Sequence, residues 1–324
     1  PGDISIPLDV LKRPDGREAK ARRTAPPPLP APAAVEEAAR LLSRAKRPVI
    51  IAGGGSVGAA KELVAVAEKV GAAVLPTIAA KGVIPDDHAL ALEATLERPT
   101  TQEFLGTADL VLAVGTELAE PDVWLDGPLG FGGPLIRIDL DPAVLARDYE
   151  TAVVIRADAK ASLAAIGAAL DRIGAAGAGF KGNNEIAERR AAERAKLTPL
   201  EQKHVKVLDA LRRAVPRDGM VFTDMTQIVY TGYCFYPCFD PKTWFFPAGY
   251  GTLGFALPAA IGGQLAAPRR PTVAMMGDGG FLFTMQDLGT AVEQKLPLAI
   301  VLWNNDSLAQ IRDGMKARGI PTVG

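Results

Sequence analysis

The stretch that decides the fold is "MGDGGFLF", residues 276–283, where a largely apolar run ends in Gly-Asp-Gly. Residues 272–276 predict a buried strand, and the chain becomes apolar again at Phe281. A single carboxylate, Asp278, therefore lies among glycines at the end of that strand. Open α/β sheets bind ligands at the carboxyl ends of their strands, so the stretch predicts such a sheet with a ligand at this edge.

A second apolar run, residues 296–303, ends at "NND", which is Asn304 to Asp306. The 24 residues between Gly279 and Asn304 leave room for a helix, and Thr284 with Asp287 three residues later predicts its start as a capping box. A right-handed strand–helix–strand crossover makes the two strands parallel. We therefore expect Asp278 and Asn305 to meet at one edge of the sheet.

Carboxylate and amide oxygens are hard ligands that suit Mg²⁺ or Ca²⁺. One carboxylate supplies little charge for a divalent ion, so the remaining ligands should come from an anionic cofactor such as a diphosphate. We expect Gly277 and Gly279 to let the backbone approach the phosphates, and Gly280 to leave a gap beside them. The alternative is two ordinary turns, one rich in glycine and one in asparagine.

The rest of the chain alternates short, continuously apolar runs with helical patterns, which is typical of buried parallel sheets. The predicted fold class is α/β, with two doubly wound parallel-sheet domains. We place one domain at 35–171 and the other at 203–324. Residues 172–202 form a partly helical linker, and 1–34 hold a strand and a proline-rich linker.

Composition excludes several classes of protein. The net charge is −1 with both signs interspersed, which argues against nucleic-acid binding, and no apolar run is long enough to span a membrane. Cys234 and Cys238 are too few for a disulfide framework or a zinc site, so we expect a cytoplasmic protein. The chain contains two histidines, so histidine-centred catalysis is not expected.

Gly53, Gly55 and Gly58 match G-x-G-x-x-G between a strand and a helix. The dinucleotide fingerprint also needs an acidic residue at the end of the next strand, where this chain has Leu75, Pro76 and Thr77. We favour close strand–helix packing as the role of these glycines, with nucleotide binding as the alternative. A nucleotide-binding module at 35–171 is thus the competing functional class.

Gly-Asp-Gly followed after two dozen residues by Asn-Asn resembles the signature of thiamine-diphosphate (ThDP) enzymes of the acetolactate synthase and 2-oxo-acid decarboxylase group. "GYGTLGFALPAAIGGQLAAP", residues 249–268, is similar to the segment that precedes this signature in the family. The resemblance implies that 35–171 is a Rossmann-like central domain and that 203–324 is a truncated diphosphate-binding domain. It also implies that "DISIPLDV", residues 3–10, is a remnant strand of the pyrimidine-binding domain.

The resemblance implies a role for several residues. Asp278, the side chain of Asn305 and the carbonyl of Ser307 would ligate Mg²⁺. Leu253 would hold the cofactor in its bent shape, and the carbonyl of Gly251 would accept a hydrogen bond from its amino group. Gln227 matches a glutamine that the family often has in this region, and Leu253 can equally be an ordinary core leucine.

The family's catalytic glutamate lies on the pyrimidine-binding domain, so no catalytic residue is assigned in this chain. We expect the chain to be a fragment that is inactive alone, from a parent protein that forms a homodimer or homotetramer. The family substrate is a small 2-oxo acid, bound without nucleic acid or membrane.

Residues 302–324, with "NND" and "QIRDGM", resemble the 5-guanidino-2-oxopentanoate decarboxylase branch. A guanidinium substrate would need a carboxylate, for which Asp306 and Asp313 are candidates, although Asp313 is better explained by a solvated helix face. Ile311 stands where some relatives have a glutamate. Acetolactate synthase is the runner-up, and the FAD that it commonly carries stays open but unsupported. A cluster of aromatic residues either lines a substrate pocket or, as we favour, packs under a loop or at the dimer interface. Its members are Tyr230, Tyr233, Phe235, Tyr236, Trp244, Phe245 and Phe246.

Overall fold

A computed structural model describes residues 8–14, 25–125, 127–177 and 179–322. These residues form two parallel β-sheets, one of five strands and one of four, with helices between the strands. The α/β fold class predicted from the sequence is confirmed. Among the described residues, no helix is both long and apolar enough to cross a membrane.

The first sheet has the order β2-β1-β3-β4-β5, with all neighbours parallel. Residues of β1 face both neighbours, so that Ile50 pairs with Val74 on one side and with Leu112 on the other. Because both faces are covered by helices, the central strands are apolar along their whole length. The strands are β1 Pro48–Ala52, β2 Ala73–Pro76, β3 Leu110–Val114, β4 Leu135–Asp139 and β5 Val153–Arg156.

Helices cover both faces of this sheet and contribute leucine, valine and isoleucine to its core. Two of them begin with aspartate caps, since Asp141 accepts from the amide of Ala143 and Asp158 from that of Ala161. The first helices of the chain are α1 Leu8–Leu11, α2 Pro32–Arg44, α3 Ala60–Val70, α4 Pro99–Leu105, α5 Glu120–Val123, α6 Pro142–Ala146 and α7 Ala159–Arg172. Short 3₁₀ segments occupy Gly54–Ala59 and Ile78–Ala80.

The second sheet has the order β7-β6-β8-β9 and is also parallel. Its strands are β6 Met220–Thr223, β7 Trp244–Phe245, β8 Thr272–Gly277 and β9 Leu298–Trp303. The later helices are α8 Glu185–Ala195, α9 Pro199–Ala214, α10 Gln227–Phe235, α11 Ala256–Ala266, α12 Asp278–Thr284, α13 Leu288–Glu293 and α14 Ala309–Ala317, with a 3₁₀ turn at Met285–Asp287.

Three local details differ from the sequence-based expectation. Residues 3–7 of the predicted remnant strand lie outside the described residues, and Leu8–Leu11 form a short helix. The proposed capping box at Thr284 is wrong, because the side chain of Thr284 makes no capping hydrogen bond and a 3₁₀ turn separates this residue from the start of α13 at Leu288. Within the predicted linker, Ile186 of α8 is buried with Phe180 in the core of the first domain, so apolar packing holds this segment in place.

Polar contacts join the two domains. The hydroxyl of Tyr233 on α10 donates to a carboxylate oxygen of Glu97 at 2.7 Å. The backbone amide of Cys238 donates to Asp86 at 2.7 Å. Arg194 of the linker helix α8 pairs with Glu93 of the first domain and donates to the carbonyl of Phe235 in α10 at 3.3 Å. Asp86 and Glu93 are both almost fully buried, so these hydrogen bonds offset the cost of removing their carboxylates from water. The contacts hold α10 against the first domain.

The stability of the fold should depend on pH through the carboxyl group of Asp122. Burial raises the pKa of this carboxyl from 3.8 to about 6, although the amide of Ile78 donates to it at 3.4 Å. A raised pKa in the folded state means that stability is greatest below pH 3.8 and declines as the pH rises through about 6. We expect Asp122→Asn to remove this decline, because the amide stays neutral and can still accept from Ile78.

The measurement is urea unfolding of wild type and Asp122→Asn at pH 4 and pH 7.5. Between pH 4 and pH 7.5, the free energy of unfolding of the variant should rise by about 2 kcal/mol relative to that of wild type. The same pH dependence in both proteins would contradict the assignment. Asp148→Asn, at an exposed position, serves as the control and should leave the pH dependence unchanged.

Candidate functional site

The carboxyl ends of three strands of the second sheet lie side by side. Gly277 at the end of β8 pairs with Trp303 at the end of β9, and Thr223 of β6 pairs with Met275 of β8. The residues that follow these strands therefore share one edge of the sheet. The structure brings Asp278 and Asn305 together at this edge, as the strand–helix–strand pattern predicts.

A cavity of about 230 Å³ opens at this edge. The cavity is lined by all the residues that the sequence analysis selected for cofactor or metal binding. Residues from the loop after β6 and from α10 and α14 complete its walls. The selected residues that line it are Gly251, Leu253, Gly277, Asp278, Gly279, Gly280, Asn305 and Ser307. The sequence pattern thus identified one contiguous surface formed from three separate segments of the chain.

The side chain of Asn305 is held in a defined orientation. Its amide nitrogen donates to the side-chain oxygen of Gln227 at 3.1 Å, and its oxygen accepts from the amide of Ser307 at 3.2 Å. Gln227 thereby fixes which end of the Asn305 amide is the oxygen, and that oxygen is on the side of Ser307. The glutamine has a clear structural role at the site, where the sequence alone suggested only a resemblance.

Asp278 is the first residue of α12, directly after the strand. Its side chain is partly exposed, and it forms no hydrogen bond with the described part of the chain. Among the described residues, no cluster of three or more His, Cys, Asp or Glu side chains could hold a metal ion. A metal ion here would thus need amide, carbonyl and cofactor oxygens besides this single carboxylate. One carboxylate and an oriented amide fit a hard cation that also binds a diphosphate.

The glycines of the Gly-Asp-Gly-Gly stretch have different roles from those expected. A Cβ atom at Gly277 would lie 2.8 Å from the hydroxyl of Thr226, and one at Gly280 would lie 2.6 Å from a carboxylate oxygen of Asp224. The gap predicted beside Gly280 is therefore wrong, because Asp224 fills it. A Cβ atom at Gly279 would lie 3.7 Å from a methyl carbon of Leu308, an ordinary van der Waals contact, so this position accommodates a methyl group without a clash.

Asp224 is the residue that the sequence reasoning missed. It follows β6, is fully buried, and accepts hydrogen bonds from the amides of Met225 at 2.8 Å and Gly254 at 2.7 Å. Burial raises the pKa of its carboxyl, and the hydrogen bonds oppose this rise. Its position in the sequence was the available signal. In "GMVFTD" an acidic residue directly follows the strand β6, just as Asp278 directly follows β8.

The segment around Gly251 supplies the opposite wall of the cavity. Gly251 has a φ of 67°, a left-handed conformation that favours glycine, and its amide donates to the carbonyl of Pro247 at 2.8 Å. Leu253 is 41% exposed, so it is not an ordinary core leucine. An apolar side chain left open in a cavity is available to contact a ligand.

The two carboxylates proposed for a guanidinium substrate do not line this cavity. Asp306 and Asp313 are both exposed, and Asp313 pairs with Arg312 at 3.1 Å. Ile311 does line it, with 62% of the side chain exposed. The expectation of a solvated helix face for Asp313 agrees with this placement.

The cysteines and most of the aromatic cluster are structural. Both cysteines are buried and unpaired, and burial raises the pKa of the Cys238 thiol to about 11. Phe235, Tyr236 and Trp244 lie in the core of the second domain, as the packing alternative predicts. Tyr230 is the exception, because it also lines the cavity.

The glycine motif of the first domain makes close backbone contacts. A Cβ at Gly53 would lie 2.2 Å from the carbonyl oxygen of Gly115, and one at Gly55 would lie 2.9 Å from its Cα. These contacts explain Gly53 and Gly55 by the close packing of the segment after β1 against Gly115, which follows β3. A Cβ at Gly58 would meet no atom within 4 Å, so the packing role expected for this third glycine is wrong. A neighbouring cavity of about 250 Å³ is lined by Glu117, Asp139, Asp141 and Asp158, an acidic surface that disfavours a phosphate.

Two family models match the chain. Residues 35–166 match the central domain of thiamine pyrophosphate enzymes, and residues 224–323 match their C-terminal TPP binding domain. Thiamine pyrophosphate is another name for ThDP, so the family resemblance inferred from the sequence is confirmed. The second match contains Gly251, Asp278 and Asn305, which line the cavity.

Curated relatives are similar over most of the chain. A "Probable 2-ketoarginine decarboxylase" of Pseudomonas aeruginosa is 43% identical over 100% of this chain and 58% of its own length. A "Probable acetolactate synthase large subunit" of Methanococcus aeolicus is 28% identical over 96% of this chain and 55% of its own. A sulfoacetaldehyde acetyltransferase of Castellaniella defragrans is 30% identical over 84% and 50%. The chain thus spans about half the length of the curated relatives it matches.

The glycine contacts yield a prediction for two neighbouring positions on α12. Gly280→Ala should destabilise the protein by about 1–3 kcal/mol, because its Cβ would overlap the buried carboxylate of Asp224. Gly279→Ala is the matched control and should leave stability unchanged or raise it by up to about 1 kcal/mol, since alanine favours the helix. Urea unfolding checks both, and equal effects at the two positions would refute the assigned contact.

Proposed function

Because this chain belongs to the thiamine pyrophosphate-dependent enzymes, we propose that it takes part in ThDP- and Mg²⁺-dependent decarboxylation of a 2-oxo acid. The observation that carries the proposal is the single cavity that joins Asp278, Asn305 and Ser307 with Gly251 and Leu253. The residues of the family signature, the oxygen donors and the glycines all line this one cavity.

In this proposal, Asp278, the side-chain oxygen of Asn305 and the carbonyl of Ser307 hold Mg²⁺. Asp278 supplies the charge, and the hydrogen bond from Asn305 to Gln227 presents the amide oxygen rather than the nitrogen to the ion. Gly279 lines the cavity at the start of α12, where the absence of a side chain would let the diphosphate approach the backbone. The remaining metal ligands are phosphate oxygens and water, as is usual for Mg²⁺.

The other wall positions the organic part of the cofactor. Leu253 would provide an exposed apolar surface for it, and the carbonyl of Gly251, which lines the same cavity, would accept a hydrogen bond from its amino group. When bound, the cofactor supplies the electron sink that decarboxylation needs, so the chain's own residues bind and orient. The catalytic glutamate of the family is not assigned to any residue of this chain.

For the substrate, we propose 5-guanidino-2-oxopentanoate, which is 2-ketoarginine. The 43% identity to the Pseudomonas aeruginosa protein over the whole chain supports this choice. Acetolactate synthase-like carboligation is the second candidate, supported by relatives of 28% identity over nearly the whole chain. Binding of FAD would favour the second candidate, whereas the acidic cavity beside Gly55 and Gly115 gives no support to a phosphate-bearing cofactor there.

We propose further that the protein works as a homo-oligomer. Large apolar side chains are exposed along α12, α13 and β9, which is unusual for the surface of a soluble domain. They are Leu282, Phe283, Val292, Ile300 and Leu302. A homodimer or homotetramer would cover such a surface.

Calorimetric titration of ThDP into the protein, with and without Mg²⁺, tests the metal site. We expect binding that requires Mg²⁺ and that weakens at least about tenfold in Asp278→Asn, because the ion loses its one charged protein ligand. Asp306→Asn is the matched control, since it removes the same charge one residue from Asn305 but outside the cavity. Its left-handed conformation, with a φ of 49°, also suits asparagine.

Three outcomes would contradict the proposal. ThDP binding that is independent of Mg²⁺ would refute the metal site, and equal losses in Asp278→Asn and Asp306→Asn would refute the assignment to Asp278. Tight binding of NAD or FAD with no ThDP binding would instead support the nucleotide-binding alternative for the first domain. Release of CO₂ from 5-guanidino-2-oxopentanoate, compared with pyruvate, separates the two enzymatic candidates.

A further inference from the structure

A second cavity, of about 380 Å³, lies between the two domains and adjoins the proposed cofactor cavity. The two cavities share Gln227, Tyr230 and Gln310 in their walls. The first domain contributes Glu97 and Arg98 to this second cavity, and α9 contributes Glu201 and His204. A ligand that starts in the cofactor cavity can therefore extend towards charged groups of the first domain.

The charges that line this second cavity do not balance. Arg98 donates to Glu201 at 2.5 Å and lies 3.8 Å from Glu97, so two carboxylates share one guanidinium group. The only other titratable groups of the described lining are His204 and two tyrosines. His204 is neutral near pH 7, because burial lowers the pKa of its imidazole. One negative charge is thus left without a matching positive charge.

Glu97 is the carboxylate that can still accept hydrogen bonds from a cation. It accepts from the hydroxyl of Tyr233 at 2.7 Å and from the thiol of Cys234 at 3.6 Å, both neutral donors. No lysine or arginine in the described ranges donates a hydrogen bond to it, whereas Glu201 is bonded to Arg98 and Glu93 to Arg194. Its side chain is only 18% exposed, so Tyr233 fixes a carboxylate that is mostly shielded from water.

We propose that Glu97 binds the cationic end of the substrate in this second cavity. An ionised carboxylate has about four positions for accepting hydrogen bonds, so Glu97 can take a guanidinium or ammonium group beside its two present donors. A charge-assisted hydrogen bond in a place shielded from water is stronger than one at the surface. The proposal rests on the function proposed above and names the residue that selects a substrate with a positively charged end.

The geometry favours Glu97 over the other charged groups near the site. Asp306 and Asp313 line neither cavity, and Asp313 already pairs with Arg312. The opposite assignment, an anionic group on Arg98, would compete with Glu201 and Glu97 for one guanidinium group. A cation on Glu97 breaks no hydrogen bond between charged groups, because Arg98 lies 3.8 Å from Glu97 and donates to Glu201 instead.

The test compares two substrates in the enzyme as a complete, active polypeptide. Glu97→Gln should lower kcat/KM for 5-guanidino-2-oxopentanoate by about 10- to 100-fold, mainly through KM, because it removes one charge-assisted hydrogen bond. The uncharged 2-oxohexanoate should keep its kcat/KM within about twofold. Glu97→Asp, which keeps the charge, should recover part of the loss.

The matched control is Glu117→Gln, the same change at a carboxylate of the first domain that lines neither of these two cavities. It should leave both substrates unaffected. Equal losses for both substrates in Glu97→Gln would show that Glu97 only maintains the structure. No loss for the guanidino substrate would show that its cation binds elsewhere. Either result overturns the proposal.

A binding measurement separates this proposal from the proposed reaction. The probe is 5-guanidinopentanoate, which lacks the 2-oxo group and cannot be decarboxylated, with hexanoate as its uncharged counterpart. Weaker binding of the probe by Glu97→Gln, by about tenfold or more, with no change for hexanoate, supports cation recognition even if no 2-oxo acid is turned over. Equal binding by wild type and variant overturns it even if decarboxylation is observed.

Discussion

The candidate site depends on one buried carboxylate. Asp224 accepts from the amide of Gly254, and its oxygen lies where any side chain at Gly280 would have to go. It thereby joins the end of β6 to the segment that contains Gly251 and Leu253, and to the first turn of α12. Burying a carboxylate is costly, and two backbone amides offset part of that cost. The glycines at 277 and 280 follow from this contact and its neighbour Thr226 as much as from any need to admit a phosphate.

The interface between the two domains also contributes residues to the walls of the candidate site. Tyr233 and Tyr230 lie on the same helix, and Tyr233 bonds Glu97 of the first domain while Tyr230 lines both cavities. Helix α10 therefore contacts the first domain and also forms part of the wall of the cofactor cavity. If Glu97 binds the cationic end of the substrate as proposed, a change in the first domain would alter substrate selection without touching the proposed metal ligands. The relatives bear the names of a decarboxylase, an acetolactate synthase and an acetyltransferase, which agrees with such a division.

The sequence also misled in ways that have a physical cause. A gap beside Gly280 was inferred because glycine has no side chain, but the space belongs to a residue 56 positions earlier in the chain. The capping box at Thr284 satisfied the local pattern, yet Thr284 is the last residue of α12, and the chain passes from it through a 3₁₀ turn into α13 without a capping hydrogen bond. In both cases a local rule was applied where contacts between distant segments decide the conformation.

The sequence by itself determined the two parallel sheets, the adjacency of β8 and β9, and the meeting of Asp278 with Asn305. These follow from continuous apolar runs and from the handedness of a strand–helix–strand crossover, which are local properties. Only the tertiary structure decided the places of Asp224, Gln227 and Glu97. Each of them acts through a partner remote in the chain: Gly280 for Asp224, Asn305 for Gln227 and Tyr233 for Glu97. Contacts over such separations are set by how helices and domains pack, and a single sequence carries no periodicity from which they can be read.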